Sequence, residues 1–266
     1  MKFVCPKCRC PLEICDTGAA KCKNNHSFDR SREGYYNLLL ANGGANHGDN
    51  REMLLARRRF LDTESYRPLA EAVCASLRDF PTPDADILDM GAGEGYYTDF
   101  VERAFSSREI YAFDISKEAV RLAAKRNKRV KYAVASSYKV PLPDESFGAI
   151  YNIFSPLAID EVKRLLKKDG IFVVAIPDSE HLFSLKAAVY DEPYKNTPEN
   201  EELQGFLLED RKTLSYSRTL SGDEARDLFM MTPYAYRTSL REKERLLDIE
   251  SLEVGFRFII LTYKKL

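Results

Sequence analysis

From about residue 86 the chain alternates short apolar runs with segments whose apolar residues recur at helical spacing. The runs are DILDMG, REIYAFDI, VKYAVAS, FGAIYNIF and GIFVVAIP, and KEAVRLAAKRN and AIDEVKRLLKK are two of the helical stretches between them. Near-continuous apolar runs suit strands buried on both faces, and their alternation with helices predicts an α/β fold with a covered parallel sheet. Upstream, REMLLARRRFLDTESYRPLAEAVCASL repeats its apolar residues at helical spacing and predicts two helices, over about 51–61 and 65–79. Cys74 falls on the apolar face of the second and is expected in the core. Before them, ANGGANHGDN at 41–50 reads as a loop or linker, with His47 a solvated loop residue.

Composition narrows this only modestly. The 266 residues have room for one large domain or two smaller ones. A hydrophobic content of 44% with 30% charged residues describes a soluble globular protein. No run approaches the roughly eighteen apolar residues of a membrane span, so no membrane partner is expected. Cys5, Lys7, Cys8 and Arg9 interrupt the N-terminus, which therefore lacks the apolar stretch of a secretory signal. A cytoplasmic, reducing location is expected, and there a cysteine cluster binds metal more often than it forms disulfides. Net charge is −1, yet residues 1–70 carry twelve Lys or Arg against eight acids. That bias is compatible with nucleic acid and does not require it. Arg57, Arg58 and Arg59 have two readings, a solvated helix face or phosphate contacts.

Five cysteines and a histidine crowd the first twenty-six residues. Cys5-x2-Cys8 is followed after thirteen residues by Cys22-x3-His26. Two residues between thiolates make a turn that lets both sulfurs face one ion, and the intervening stretch is long enough for a short hairpin. Such a set suits tetrahedral zinc in a closed, structural shell. Pro6 and the Asn24-Asn25 pair fit the tight turns. Either Cys10 or Cys15 could replace Cys22 on spacing alone, although only Cys22–His26 supplies a second knuckle.

The first strand after residue 86 runs into Asp89-Met90-Gly91-Ala92-Gly93-Glu94-Gly95. A dinucleotide fingerprint needs its third glycine three positions after the second, where this chain has Tyr96. D-x-G-x-G-x-G instead resembles the first motif of S-adenosylmethionine-dependent methyltransferases, whose loop meets the amino-acid end of the cofactor. Asp114 closes the second strand, where a carboxylate can accept from both ribose hydroxyls. Ser136 and Ser137 end the third, on the adenine side. Phe154-Ser155-Pro156 ends the fourth, at the rim where a methyl acceptor enters. All lie at carboxyl ends of strands, where open parallel sheets bind ligands. This is a Rossmann-like class I methyltransferase pattern preceded by a small zinc-binding domain.

Together with the CPxC opening, the C-x3-H-x-FD pair, REGYYNLL, GDNREMLLARRRFLD, DMGAGEGYYT, VASSYKVP, IFSP, HLFSLK and MTPYAYR, the chain resembles the 23S ribosomal RNA guanine-N1 methyltransferases. The resemblance runs through nearly the whole chain. It implies zinc on Cys5, Cys8, Cys22 and His26. It implies S-adenosylmethionine contacts from Tyr66, Gly93, Glu94 and His181, beside Asp114 on the ribose. It further implies a homodimer whose zinc modules help to form a cleft for an rRNA hairpin. One branch of that family has Tyr-Ala-Pro where this chain has Phe154-Ser155-Pro156, so any hydrogen bond through that phenol is lost here. The expected organisation is a zinc-binding module over 1–36, a linker and helix over 37–64, and the methyltransferase domain over 65–266. Two other readings compete, a small-molecule methyltransferase with an incidental zinc module and a non-catalytic RNA-binding protein.

Overall fold

A computed structural model of the chain describes residues 1–40, 50–78, 85–197 and 200–266. The 41–50 stretch, apart from Asn50, and with it His47, lies outside the described residues. Three short strands, β1 (Glu13–Ile14), β2 (Ala20–Lys21) and β3 (Ser27–Phe28), pair antiparallel into a small N-terminal sheet. The chain continues through β4 (Tyr36–Asn37), α1 (Arg51–Asp62), α2 (Arg67–Leu77), β5 (Ile87–Met90), α3 (Tyr96–Ala104), β6 (Ile110–Asp114) and α4 (Lys117–Arg126). Next come β7 (Lys131–Val134), β8 (Phe147–Ile153), α5 (Ile159–Leu165), β9 (Leu166–Pro177) and α6 (Phe183–Val189). A long hairpin-like pair, β10 (Phe206–Ser221) and β11 (Ser251–Lys265), encloses α7 (Gly222–Met230) and α8 (Leu240–Glu244).

The principal sheet has eight strands in the order β10-β11-β9-β8-β5-β6-β7-β4. Strands β4 to β9 run parallel, and β11 enters antiparallel between β9 and β10. From β5 the order leaves in opposite directions, to β6 on one side and β8 on the other, which opens a crevice beyond the carboxyl end of β5. Strand alternation sorts the side chains between two cores. Ile87 packs with Leu69, Val73 and Leu77 of α2 on one face, whereas Leu88 and Met90 face the other. A register slip of one residue would exchange these faces, so burial on both sides fixes the pairing.

The two helices expected upstream are α1 and α2. Asn50 caps α1, its side-chain oxygen accepting from the Met53 amide at 2.9 Å. The apolar stripe of Met53, Leu54, Ala56, Phe60 and Leu61 is buried. Cys74 is buried in α2, as its spacing predicts. The expected strands are present as β5 to β9.

The N-terminal module is seated on the sheet. Phe3, Leu12, Ala20 and Cys22 share a core with Leu88, Tyr111 and Phe113. Arg9 donates to the carbonyls of Val140 at 2.8 Å and Leu142 at 2.9 Å. Strand β4 pairs with β7 at the sheet edge, so the backbone just after the module is already part of the larger sheet.

Candidate functional site

The turn after β5 carries its geometry in its glycines. Gly91 has φ +89°, and a Cβ there would stand 2.1 Å from the Ser155 Oγ. Both the left-handed backbone and the close approach of the β8 loop require glycine. Gly95 also has φ +89°, and its Cβ would meet the Ala123 Cα at 2.8 Å. It serves the packing of α3 against α4. The Gly93 amide donates to Asp114 Oδ2 at 2.9 Å, and Asp114 Oδ1 accepts from the Ser116 amide at 2.8 Å. The carboxylate at the end of β6 is thereby held against the loop, fixed before any ligand arrives.

A cavity of about 880 Å³ occupies the crevice. That is near the top of the range of about 300–1,000 Å³ for small-molecule sites, so it has room for a nucleoside cofactor and part of a second ring. Tyr66, Gly91, Gly93, Glu94, Asp114, Ser136, Ser137 and His181 line it, and so do Phe154, Ser155 and Pro156. Two residues expected at the cofactor do not line the cavity. Asp89 is buried below the loop, where its Oδ2 accepts from the Thr98 hydroxyl at 2.6 Å and the Tyr151 hydroxyl at 2.7 Å. Burial pushes its carboxyl up to about 7 against the pull of those two donors. Asp89 braces the loop from beneath, as Gly95 does from behind.

Tyr66 and His181 meet inside the cavity wall. The His181 Nδ1 accepts from the Arg257 backbone amide at 3.2 Å. That ring nitrogen therefore carries no proton, and the neutral ring must hold its hydrogen on Nε2. The Nε2 lies 3.3 Å from the Tyr66 hydroxyl, to which it donates. Burial pushes His181 down to about 3 and pushes the Tyr66 phenol up, so the imidazole stays neutral and the phenol protonated. Phe154 has φ +55° and is 44% exposed, with its ring 6.3 Å from Tyr66 and stacked 6.4 Å from His181. A left-handed non-glycine residue at a ligand rim is a strained placement that presents an aromatic face outward. Asn152 fixes that turn by donating to the Met90 carbonyl at 3.1 Å and accepting from the Ser155 amide at 3.4 Å.

Glu94 is buried, with Oε2 accepting from Arg126 at 2.8 Å while Oε1 has no hydrogen-bond partner among the described residues. Burial raises its carboxyl, opposed by the Arg126 charge. A buried acceptor left open is costly unless a ligand satisfies it. The three arginines of α1 are divided. Arg59 forms a two-point ion pair with Asp227 of α7, Arg58 lies 3.9 Å from Asp62, and Arg57 turns into the cavity wall. Arg57, Asn152 and the Met231–Tyr234 segment are lining residues that the sequence reading assigned no place at the cofactor. MTPYAYR was a usable signal for the last of these, since that segment supplies four consecutive lining residues.

In the N-terminal module the ligand atoms of Cys5, Cys8, Cys22 and His26 all lie within 4.8 Å of one another. The Cys5 Sγ is 3.4 Å and the Cys22 Sγ 3.5 Å from His26 Nδ1, and Cys8 Sγ is 3.7 Å from Cys22 Sγ. Zinc bonds of about 2.3 Å to sulfur and about 2.0 Å to nitrogen give tetrahedron edges of about 3.5–3.8 Å. The donor set fits zinc. Cys10 and Cys15 fall outside this group; the Cys10 sulfur instead accepts from the Asn24 side chain at 3.7 Å. No open coordination position is offered, so the ion is structural.

A parallel sheet with β11 entering antiparallel beside β9, a glycine loop at its switch point and a carboxylate closing the next strand define a class I S-adenosylmethionine-dependent methyltransferase. Residues 88–174 match the family described as methyltransferase domain, and residues 3–43 match the RlmA N-terminal zinc-ribbon family. The Bacillus subtilis (strain 168) protein YxjB, named provisionally as a 23S rRNA (guanine-N1)-methyltransferase, is 30% identical over 95% of this chain and 93% of its own. The Streptomyces fradiae protein named 23S rRNA (guanine(748)-N(1))-methyltransferase is 34% identical, over 70% of this chain and 66% of its own. The chain belongs to the 23S rRNA guanine-N1 methyltransferase family. Among solved structures, the cyclase SpnF is similar at a TM-score of 0.50 and 19% identity, covering 76% of this chain and 82% of its own. That likeness concerns the fold alone, and a cyclase on such a fold shows why the reaction must be argued from the site.

Proposed function

We propose that this chain transfers the methyl group of S-adenosylmethionine to N1 of a guanine in a 23S rRNA hairpin loop. One observation carries the reading. A single cavity joins the crevice between Gly91 and Asp114 to the strained, outward-facing Phe154, so cofactor and an aromatic acceptor can share it.

The bound cofactor would supply an electrophilic methyl on sulfur. Everything else falls to the chain. Asp114, already oriented by the Gly93 and Ser116 amides, accepts from the ribose hydroxyls. Ser136 and Ser137 lie on the adenine side. The buried, unpartnered Oε1 of Glu94, a residue of the cavity wall, supplies the acceptor for the ammonium of the amino-acid end. The Tyr66 oxygen accepts a hydrogen bond from the His181 Nε2–H, which leaves its own hydroxyl hydrogen to serve as a donor toward the cavity. Phe154 stacks on an unpaired or flipped-out base, which must present its Watson–Crick edge to react at N1. Guanine N1 bears a proton at neutral pH, and it must leave as the methyl arrives. His181 is unsuited to take it, because its Nδ1 is occupied and burial holds its pKa near 3. The work of the site is positioning in line.

Zinc held by Cys5, Cys8, Cys22 and His26 shapes a module over 1–36 that fixes the register of the RNA. Residues 37–64 join it to the methyltransferase domain over 65–266. Among the described residues no helix is long and apolar enough to cross a membrane; a cytoplasmic location is part of the proposal. Function as a homodimer, with two modules around one hairpin, completes the reading; sedimentation of the zinc-loaded protein tests it.

Incubation with protein-free 23S rRNA and labelled cofactor is the test. Label in the RNA is the expected result. Transfer to small metabolites with none to RNA would turn the reading to a small-molecule methyltransferase, and failure to bind cofactor would turn it to a non-catalytic RNA-binding protein.

A further inference from the structure

Arg57 belongs to a helix whose arginines read as either a solvated face or phosphate contacts, but it lines the cofactor cavity. The side chain is half-buried. Its Nη2 donates to the Met231 carbonyl at 3.1 Å, which fixes the plane of the group. Its Nη1 would stand 3.8 Å from a Cβ built on Gly93, the central glycine of the loop. Burial raises the Tyr66 and Tyr97 phenols, and the Arg57 charge opposes that rise. Gly93, Tyr66, Tyr97 and Met231 all line the same cavity with it.

This cation is oddly placed for a cofactor that already carries a sulfonium and an ammonium. S-adenosylmethionine has one anionic group, the α-carboxylate, and its amino-acid end is the part that meets a glycine loop of this kind. A guanidinium presents five N–H donors in a planar fork that matches a carboxylate, and it keeps its charge at any working pH. Glu94, next to Gly93 in the chain, offers the complementary acceptor for the ammonium. From this geometry we infer that Arg57 is the carboxylate-binding residue of the cofactor site, a role that rests on the methyltransferase reading above.

A phosphate of the RNA is the competing occupant for a cation in this place. Position favours the carboxylate, because Arg57 lies beside the glycine loop in the cavity wall.

Two ligands separate these possibilities. S-adenosylhomocysteine carries the amino-acid end, and 5′-methylthioadenosine lacks it but keeps the ribose and adenine. Calorimetric titration of both into the zinc-loaded full chain would compare the natural protein with Arg57→Gln and Arg57→Lys. The expected result for Arg57→Gln is about tenfold to a hundredfold weaker S-adenosylhomocysteine binding, with methylthioadenosine affinity held within about twofold. Arg57→Lys should recover part of the loss, since it restores charge without the fork. Equal losses for both ligands would overturn the inference and make Arg57 a brace between α1 and the Met231 segment. No loss for either ligand, with weaker RNA binding, would assign it to phosphate. If the natural protein bound neither ligand, the methyltransferase reading itself would fall, an outcome distinct from both.

Discussion

The zinc knuckle and the glycine loop each converge several residues on one small ligand, and they do it by opposite means. In the knuckle the strands are two residues long and the side chains are the ligands, so the ion itself joins Cys5 and Cys8 to Cys22 and His26. In the loop the backbone is the binding surface, and its shape is set by burial of β5, β6 and β8 beneath it. In the first region a metal cross-links short strands that share their core with the sheet, through Phe3, Leu12 and Ala20; in the second, a core positions a surface that needs no metal. The knuckle should therefore fail by losing its ion, and the loop by losing its shape.

Cys22→Ser should give the largest effect. Structural zinc contributes on the order of 10–16 kcal/mol in small isolated modules. Loss of bound zinc by atomic emission and proteolytic nicking within residues 1–36 are expected. Cys15→Ser, outside the ligand group, should keep a full complement of zinc; if it releases the ion instead, the assignment of ligands is wrong.

Glycine substitutions probe the other side. Gly95→Ala forces a Cβ onto the Ala123 backbone, and a loss of about 1–3 kcal/mol in urea unfolding is expected. Gly91→Ala meets Ser155, so it should weaken cofactor binding more than it weakens the fold. Equal stability and binding losses in both variants would erase the distinction between packing and ligand approach.

Asp114→Ala removes the carboxylate from the adenosine end. Affinity for S-adenosylhomocysteine and methylthioadenosine alike should fall about tenfold to a hundredfold. A loss confined to S-adenosylhomocysteine would place this carboxylate at the amino-acid end.

His181 should give the smallest effect, and one that depends on pH. Its pKa in the fold is about 3, below the ordinary value of about 6.5, so the unfolded chain binds the proton first as pH falls. Stability from this group is complete above about pH 6.5 and declines down to about pH 3, by at most about 2 kcal/mol at pH 5. His181→Gln should show a shallower acid slope in thermal melts than the natural protein; parallel slopes would mean that the ring is protonated in the fold.

Much of this architecture was legible in the sequence where the signal is local. Apolar runs marked β5 to β9, helical spacing marked α1 and α2, and paired Cys spacing marked the knuckle. The directions of individual side chains were not. D-x-G-x-G-x-G names Asp89, but which way its carboxylate points depends on Thr98 and Tyr151, the latter from β8, far off in sequence though paired with β5. Arg57, Arg58 and Arg59 look alike in sequence, and only the packing of α7 gives Arg59 to Asp227 and turns Arg57 inward. Lys186 of HLFSLK is a charged residue to which the motif alone assigns no surroundings. It is 1% exposed, held between Tyr194 and Tyr234 while it donates to Asn196. Non-local partners decide such cases.

The most direct test of the whole account is to map the methyl group on the RNA. Protein-free 23S rRNA would be incubated with the zinc-loaded chain and cofactor, cut with nucleases, and its fragments weighed by mass spectrometry. The account predicts a single methyl on N1 of one guanine in a hairpin loop, abolished by Asp114→Ala. Methylation on another atom, or scattered over paired guanines, would contradict it.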